Sequence, residues 1–108
     1  MLNQVVLCGR IASDIETEIK DGKKYTKIVV AVPRAYKNVD GEYETDFITC
    51  ILWNGIAETT AEYCKKGDIV GVKGRLQTTK QLNMDNSLSY TMELVAEKIS
   101  FLSSKKED

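Results

Sequence analysis

The stretch from Tyr43 to Trp53 constrains the fold more than any other, because it carries bulky apolar side chains on both parities of an extended chain. Residues two apart share a face of a strand. Ile48, Cys50 and Leu52 therefore form one row, which reads as core, while Phe47, Thr49, Ile51 and Trp53 form the other. A sheet that sets Phe and Trp opposite its core has either a second core or a surface meant for flat ligands. A chain of 108 residues, 43% apolar, has room for one packed domain. So small a domain often completes its burial by oligomerising.

Other strand-like runs flank this one. Gln4 to Ala12 is rich in Val, Ile and Leu and exits at the polar Ser13-Asp14. Lys24 to Val32 is β-branched, and Pro33 then removes a backbone donor, so the strand must end there, bulge, or face outward. Asp40-Gly41 predicts a turn that returns the chain into Tyr43 to Trp53 as the second arm of a hairpin. The one convincing helix spans Gly55 to Lys66. Asn54 is its expected N-cap, Ile56, Thr60, Tyr63 and Cys64 lie on one side, Lys65 and Lys66 suit the last-turn dipole, and Gly67 is the stop. Asp68 to Thr79 reads as a fourth strand, with Gly71 and Gly74 marking a bend or a close backbone approach. A polar connection over Gln81 to Ser89 leads into a fifth strand ending at Leu102. There Tyr90, Met92, Leu94 and Ala96 share a face before Ile99 and Phe101 shift the register. Residues 103–108 are expected to form a short polar, disordered tail after a single domain over residues 1–102.

The string is thus all-β with one insertion, β-β-β-α-β-β, a helix standing between strands three and four. Its simplest closed solution is a five-stranded Greek-key OB-fold barrel, which binds oligonucleotides or oligosaccharides across strands two and three. An SH3-like barrel or a small α+β sheet gives a similar string.

Charge and cysteine content narrow the function. The net charge of −1 sits badly with phosphate binding if spread evenly, but it is not. Lys20, Lys23, Lys24, Lys27, Arg34 and Lys37 stand against Asp21 alone. Lys65, Lys66, Lys73, Arg75 and Lys80 stand against Asp68, and Asp40, Glu42, Glu44 and Asp46 form an acidic cluster between the two segments. Cys8, Cys50 and Cys64 are odd in number, far apart and without any histidine to join them, which argues against a disulfide framework and a zinc site. They read as small buried hydrophobes of a reducing compartment. No apolar run approaches the roughly 20 residues of a membrane span, and Met1 leads into the chain without a signal-peptide pattern, so a cytoplasmic location is expected. No nucleophile with its base and no Gly-rich phosphate loop can be assembled, so no catalytic activity and no cofactor are expected.

Several segments together resemble the bacterial single-stranded DNA-binding proteins. They are Gln4-Val5-Val6-Leu7-Cys8-Gly9-Arg10, Ala31 to Asn38, Asp46-Phe47-Ile48-Thr49-Cys50-Ile51-Leu52-Trp53, Tyr63-Cys64-Lys65-Lys66-Gly67, Gly74-Arg75-Leu76-Gln77-Thr78 and Glu93-Leu94-Val95-Ala96-Glu97. The resemblance covers nearly the whole chain in order. It implies a homotetramer of OB-folds that coats exposed strands in replication, recombination and repair, together with proteins of those pathways. It also implies base stacking on Tyr36, which ends strand two, and on Phe47 and Trp53, which open and close strand three. The chain departs from the pattern where Thr79, Lys80 and Gln81 replace a basic residue followed by an aromatic, and where Pro33 replaces a polar residue. The glycine-rich tail and acidic tip that recruit partners in long members have no counterpart before Asp108, as in a short accessory form or a trimmed chain.

The expected site is therefore Trp53, Phe47 and Tyr36 as stacking platforms, with Arg10, Arg34, Lys37, Lys73 and Arg75 as phosphate contacts. Tyr25, Tyr43, Tyr63, Tyr90 and Phe101 are assigned to packing, turns or interfaces. Val5, Val6 and Leu7 are the expected pairing edge of the oligomer. The main rival is an OB-type adaptor of the replisome or primosome, in which the same aromatics dock a protein.

Overall fold

A computed structural model describes residues 1–102. Its elements are β1 (Val5–Ile11), β2 (Thr17–Lys20), β3 (Lys23–Lys37), β4 (Tyr43–Trp53), α1 (Asn54–Tyr63), β5 (Ile69–Leu82) and β6 (Leu88–Phe101). The sheet runs β1-β5-β6-β4-β3-β2, and β3 also pairs back onto β1 through Arg10↔Ala31 and Ile11↔Val30. That last pairing closes β1, β5, β6, β4 and β3 into a barrel, with β2 laid along the far half of β3. All pairings are antiparallel except β4–β6. The architecture is the expected OB-fold, with its helix between the third and fourth strands of the barrel.

Alternation builds the core. Ile28 and Val30 of β3, Cys50 and Leu52 of β4, Val70 and Val72 of β5, and Leu94 and Ala96 of β6 point inward with Ile11. Ala57 and Thr60 of α1 are buried as well, with Ile56 packed beside them, so the helix plugs one end of the barrel. Closure requires backbones to touch without a side chain between them. A Cβ at Gly9 would strike the Ala31 carbonyl where β1 turns from β5 to β3, and one at Gly74 would strike the Val95 carbonyl at the β5–β6 bulge. Gly71 makes only ordinary contacts, so of the two glycines singled out in this strand Gly74 is the one that permits close approach.

Several local expectations are corrected. Thr17–Lys20 is an additional strand, joined to β3 by the left-handed pair Asp21 (φ 53°) and Gly22 (φ 78°). Of the outcomes left open at Pro33, an end, a bulge or an outward face, β3 takes the bulge. It runs to Lys37 through a register shift between Pro33 and Lys37, so the missing donor falls at a bulge. Asn54 is no side-chain cap: β4 enters α1 without a loop, Trp53 is extended, and Asn54 makes the reversal in left-handed backbone (φ 53°), which Asn tolerates better than most residues. The helix also ends earlier than expected: the Cys64 N–H makes the last helical bond, to the Thr60 carbonyl, and Cys64 itself is already extended. Lys65 and Lys66 therefore lie beyond its last turn, in a turn where Asp68 accepts from the Lys65 N–H. Gly67 (φ 102°) then carries the chain to β5 with its N–H on the Ile11 carbonyl. Cys8 is exposed rather than buried, because it shares the outward parity of β1 with Val6. The tail expected over residues 103–108 lies outside the described residues.

Candidate nucleic-acid interface

The outward parity of β3 and β4 forms a continuous wall whose cross-strand pairs are Tyr25↔Trp53, Lys27↔Ile51, Val29↔Thr49, Ala31↔Phe47 and Pro33↔Thr45. Phe47 is 66% exposed, and its partner across the ladder is the small Ala31. Arg10 of β1 continues the same row beside Ala31. Trp53, six residues along at roughly 3.3 Å each, stands about 20 Å from Phe47 on the same face. Trp53 is half-buried because Tyr25 lies against it, ring centroids 4.8 Å apart and planes tilted by 57°. Tyr36 is exposed within the irregular stretch between Pro33 and Lys37, near the end of the β3–β4 ribbon.

Between the two aromatics the wall is bridged. Lys27 reaches from β3 across β4 to Glu93 of β6, Nζ to Oε2 at 3.8 Å, and Thr79 of β5 donates to the other Glu93 oxygen at 3.2 Å. The methylene stem of a lysine covers apolar surface readily, which accounts for Ile51 being buried although it shares the outward parity of Phe47.

The basic residues are placed less uniformly. Arg34 is clamped by acids of the returning strand: Nε and Nη2 donate to Asp46 at 3.1 and 2.8 Å, and Nη1 pairs with Glu44 at 3.1 Å. The fork geometry is the strong bidentate one. The hydrogen bonds from Arg34 hold the Asp46 carboxyl below the usual aspartate range, and those to Asp46 raise the guanidinium in turn. Lys37 sits 5.8 Å over the Tyr43 ring. Arg10, though aligned with Phe47, donates to the Gly67 carbonyl at 2.8 Å and so ties β1 to the loop after the helix. Arg75 lies opposite Val95 and contacts Gln77. Lys73 is on another wall, paired with Val6 of β1 and Lys98 of β6. Phe47, Trp53 and Arg10 thus share one wall, Tyr36, Lys37 and Arg34 gather at the end of the ribbon, and Lys73 stands apart.

The tips of the long hairpins explain one departure noted above. Gln81 pairs with Ser89, and Tyr90, opposite Lys80, belongs to the other face of the β5–β6 arm with Leu82, Leu88 and Met92. The nearest arm aromatic therefore does not stand in for the one absent at Gln81. Sequence reasoning assigned Tyr25 to packing, as its contact with Trp53 is, but did not place it or Lys27 on this wall. The parity that linked Phe47 to Trp53 finds both once Tyr25 is set opposite Trp53, but the shift after Pro33 hides that register from a count outward from the Asp40-Gly41 turn. Among the described residues no cluster of side chains fits a metal ion, and no helix is long and apolar enough to cross a membrane.

Comparison with known proteins agrees with this geometry. Residues 2–102 match the model of the single-strand binding protein family. The chain is 38% identical to single-stranded DNA-binding protein B of Bacillus subtilis, over all of this chain and 96% of that protein. It is 42% identical to single-stranded DNA-binding protein 3 of Listeria innocua, over 98% of this chain and 67% of the relative. It is 37% identical to single-stranded DNA-binding protein 1 of Streptococcus pyogenes, over 94% and 79%. A barrel closed through Gly9 and Gly74, an outward Phe47–Trp53 wall and these matches lead to one conclusion: the chain belongs to the single-strand binding protein family.

Proposed function

We propose that this protein binds single-stranded DNA without regard to sequence and protects it during replication, recombination or repair. Bases stack on Phe47, Trp53 and Tyr36, and cationic side chains meet the phosphates. The observation that carries this reading is that a member of this family exposes Phe47 on the barrel's outer wall in line with Trp53. Every base has a π-face, so each stack contributes about 1–3 kcal/mol whatever the sequence, and counterion release adds a salt-dependent term. Arg10, Lys37, Lys73, Arg75 and Arg34 are the phosphate contacts of this reading, with Arg34 exchanging its carboxylate partners for a phosphate.

The working form is a homo-oligomer, a tetramer by the family's pattern, acting in the cytoplasm without chemistry of its own. In support, β1 from Val5 to Cys8 is paired with β5 on one side only, and Val6 is exposed beside a cleft shared with Leu7 and Leu102. A protein adaptor is the second reading, favoured by the exposed Leu82, Leu88, Tyr90 and Met92 of the β5–β6 arm. Mobility shift with oligo(dT) and with a duplex of equal length separates the two. Retardation of the single strand alone supports coating. No retardation of either at low salt moves the adaptor reading to the front. Light scattering that finds a monomer at micromolar concentration would overturn the tetramer.

A further inference from the structure

The wall does not end at Trp53. β2 and β3 form a short hairpin beyond it, with Lys20 directly opposite Lys23 and Glu18 opposite Tyr25. Tyr25 and Lys23 share the outward parity of Lys27, and Lys20 places its ammonium 4.6 Å from the centre of the Tyr25 ring. Lys24 has the opposite parity and is ion-paired with Glu58 of α1, so the hairpin's lysines are divided between a structural face and an outward one.

The outward lysines are the unusual ones. Like charges directly opposite on paired strands repel, and among the described residues neither Lys20 nor Lys23 is in an ion pair. Both line a cleft of about 210 Å³ whose other walls are Asp21, Trp53 and Asn54. That is below the roughly 300–1,000 Å³ of pockets that enclose a whole ligand. It suits a flat ring laid against one side of Trp53, with its charge left outside. The opposite flank of the hairpin gathers Asp14, Glu16 and Glu18 around Tyr25 with Lys27 and Lys20, which lines both flanks, so three carboxylates stand against two ammonium groups there.

We propose that this cleft is an additional nucleotide subsite: the strand runs past Trp53 onto the β2–β3 hairpin, laying a base against the indole and its phosphates on Lys20 and Lys23. Tyr25 is a positioning residue. It backs the indole and presents it to the cleft, while Lys20 is held in place over the phenol ring by the cation–π contact. The three acids of the far flank make it the poorer place for a phosphate, and Lys23 lines only the near cleft. This rests on the stacking role of Trp53 proposed above and adds a route, a direction of exit and three residues to it.

The test titrates the full chain and its Y25F, Y25L and K20Q/K23Q variants with a short oligo(dT) at several salt concentrations, reading Trp53 fluorescence. Removing two phosphate contacts lowers the slope of log affinity against log salt by about 1.4, at about 0.7 per contact on a single strand. The quenching at saturation stays as it is in the parent chain. Y25F, which keeps the ring, binds as the parent does, whereas Y25L changes the unliganded Trp53 emission and binds several-fold more weakly. If the parent is quenched but K20Q/K23Q keeps the parent's salt slope, the subsite is refuted and stacking on Trp53 stands. If the parent itself is not quenched, both are refuted. Y25L binding as tightly as Y25F removes Tyr25 from the site.

Discussion

Replacing Phe47 and Leu52 with alanine, one at a time, separates the two faces of β4. Phe47 is 66% exposed and Leu52 fully buried, although they lie five residues apart on the same strand. F47A removes little buried area, so thermal unfolding should move by no more than a few degrees. It also removes a stack of about 1–3 kcal/mol per base, which at 1.4 kcal/mol per tenfold weakens single-strand binding roughly 5- to 150-fold. L52A leaves a cavity beneath α1 at a cost of about 2–5 kcal/mol. For a domain of this size that lowers the unfolding midpoint by roughly 10–40 °C, with little change in affinity per folded molecule. Calorimetry and filter binding on both variants measure all four quantities. The face assignment is refuted if F47A melts as early as L52A, or if F47A binds as the parent does.

Other outcomes follow from the same geometry. Asp46 should titrate below the usual aspartate range in a carboxyl NMR experiment, since Arg34 hydrogen bonds favour its charged form. The small stabilisation from that pair is complete above the unfolded-state pKa and is lost as pH falls through the lowered one. D46N should tighten single-strand binding, most clearly at low salt, by leaving Arg34 with Glu44 as its one remaining carboxylate partner; weaker binding would mean that the clamp orients Arg34 for phosphate. Cys50, whose thiol burial pushes up to about 12, should resist thiol reagents in the folded protein even at alkaline pH, whereas Cys8, exposed on the single chain along the proposed pairing edge, should react faster than Cys50. Mass spectrometry after timed labelling reads the order. G74A should destabilise by about 1–3 kcal/mol as its Cβ meets the Val95 carbonyl. G55A, with open space around it, should stabilise by about 0.4–1 kcal/mol. Urea unfolding of the two variants checks the contrast.

Side-chain parity carried most of the fold. Cys50 and Leu52 against Phe47 and Trp53 defined β4 and its wall because a strand has only two faces. Other elements were hidden for identifiable reasons. Thr17–Lys20 is exposed along its whole length, so no apolar alternation betrays it, yet Asp21-Gly22 carries the same turn signal that located the β3–β4 hairpin. Pro33 left an end, a bulge and an outward face all open, because its lost donor matters only in a regular ladder, and the register shift that follows it selects the bulge. The reversal at Asn54 was missed because Asn suits both a cap and left-handed backbone. The outward parity of Phe47 and Trp53 was legible from alternation, whereas the position of Tyr36 came only from resemblance and the partners of the cations from neither. Arg34 meets Asp46 twelve residues away, and Lys27 meets Glu93 across an intervening strand, contacts set by register and strand order rather than by local sequence.

The most direct measurement is the fluorescence of Trp53, the chain's one tryptophan, during titration with oligo(dT) at two salt concentrations and with a duplex of equal length. Stacking of bases on the β3–β4 wall requires strong quenching by the single strand, weaker binding at the higher salt, and no response to the duplex. A single strand that binds without altering Trp53 emission, or a duplex that quenches equally, would contradict the account.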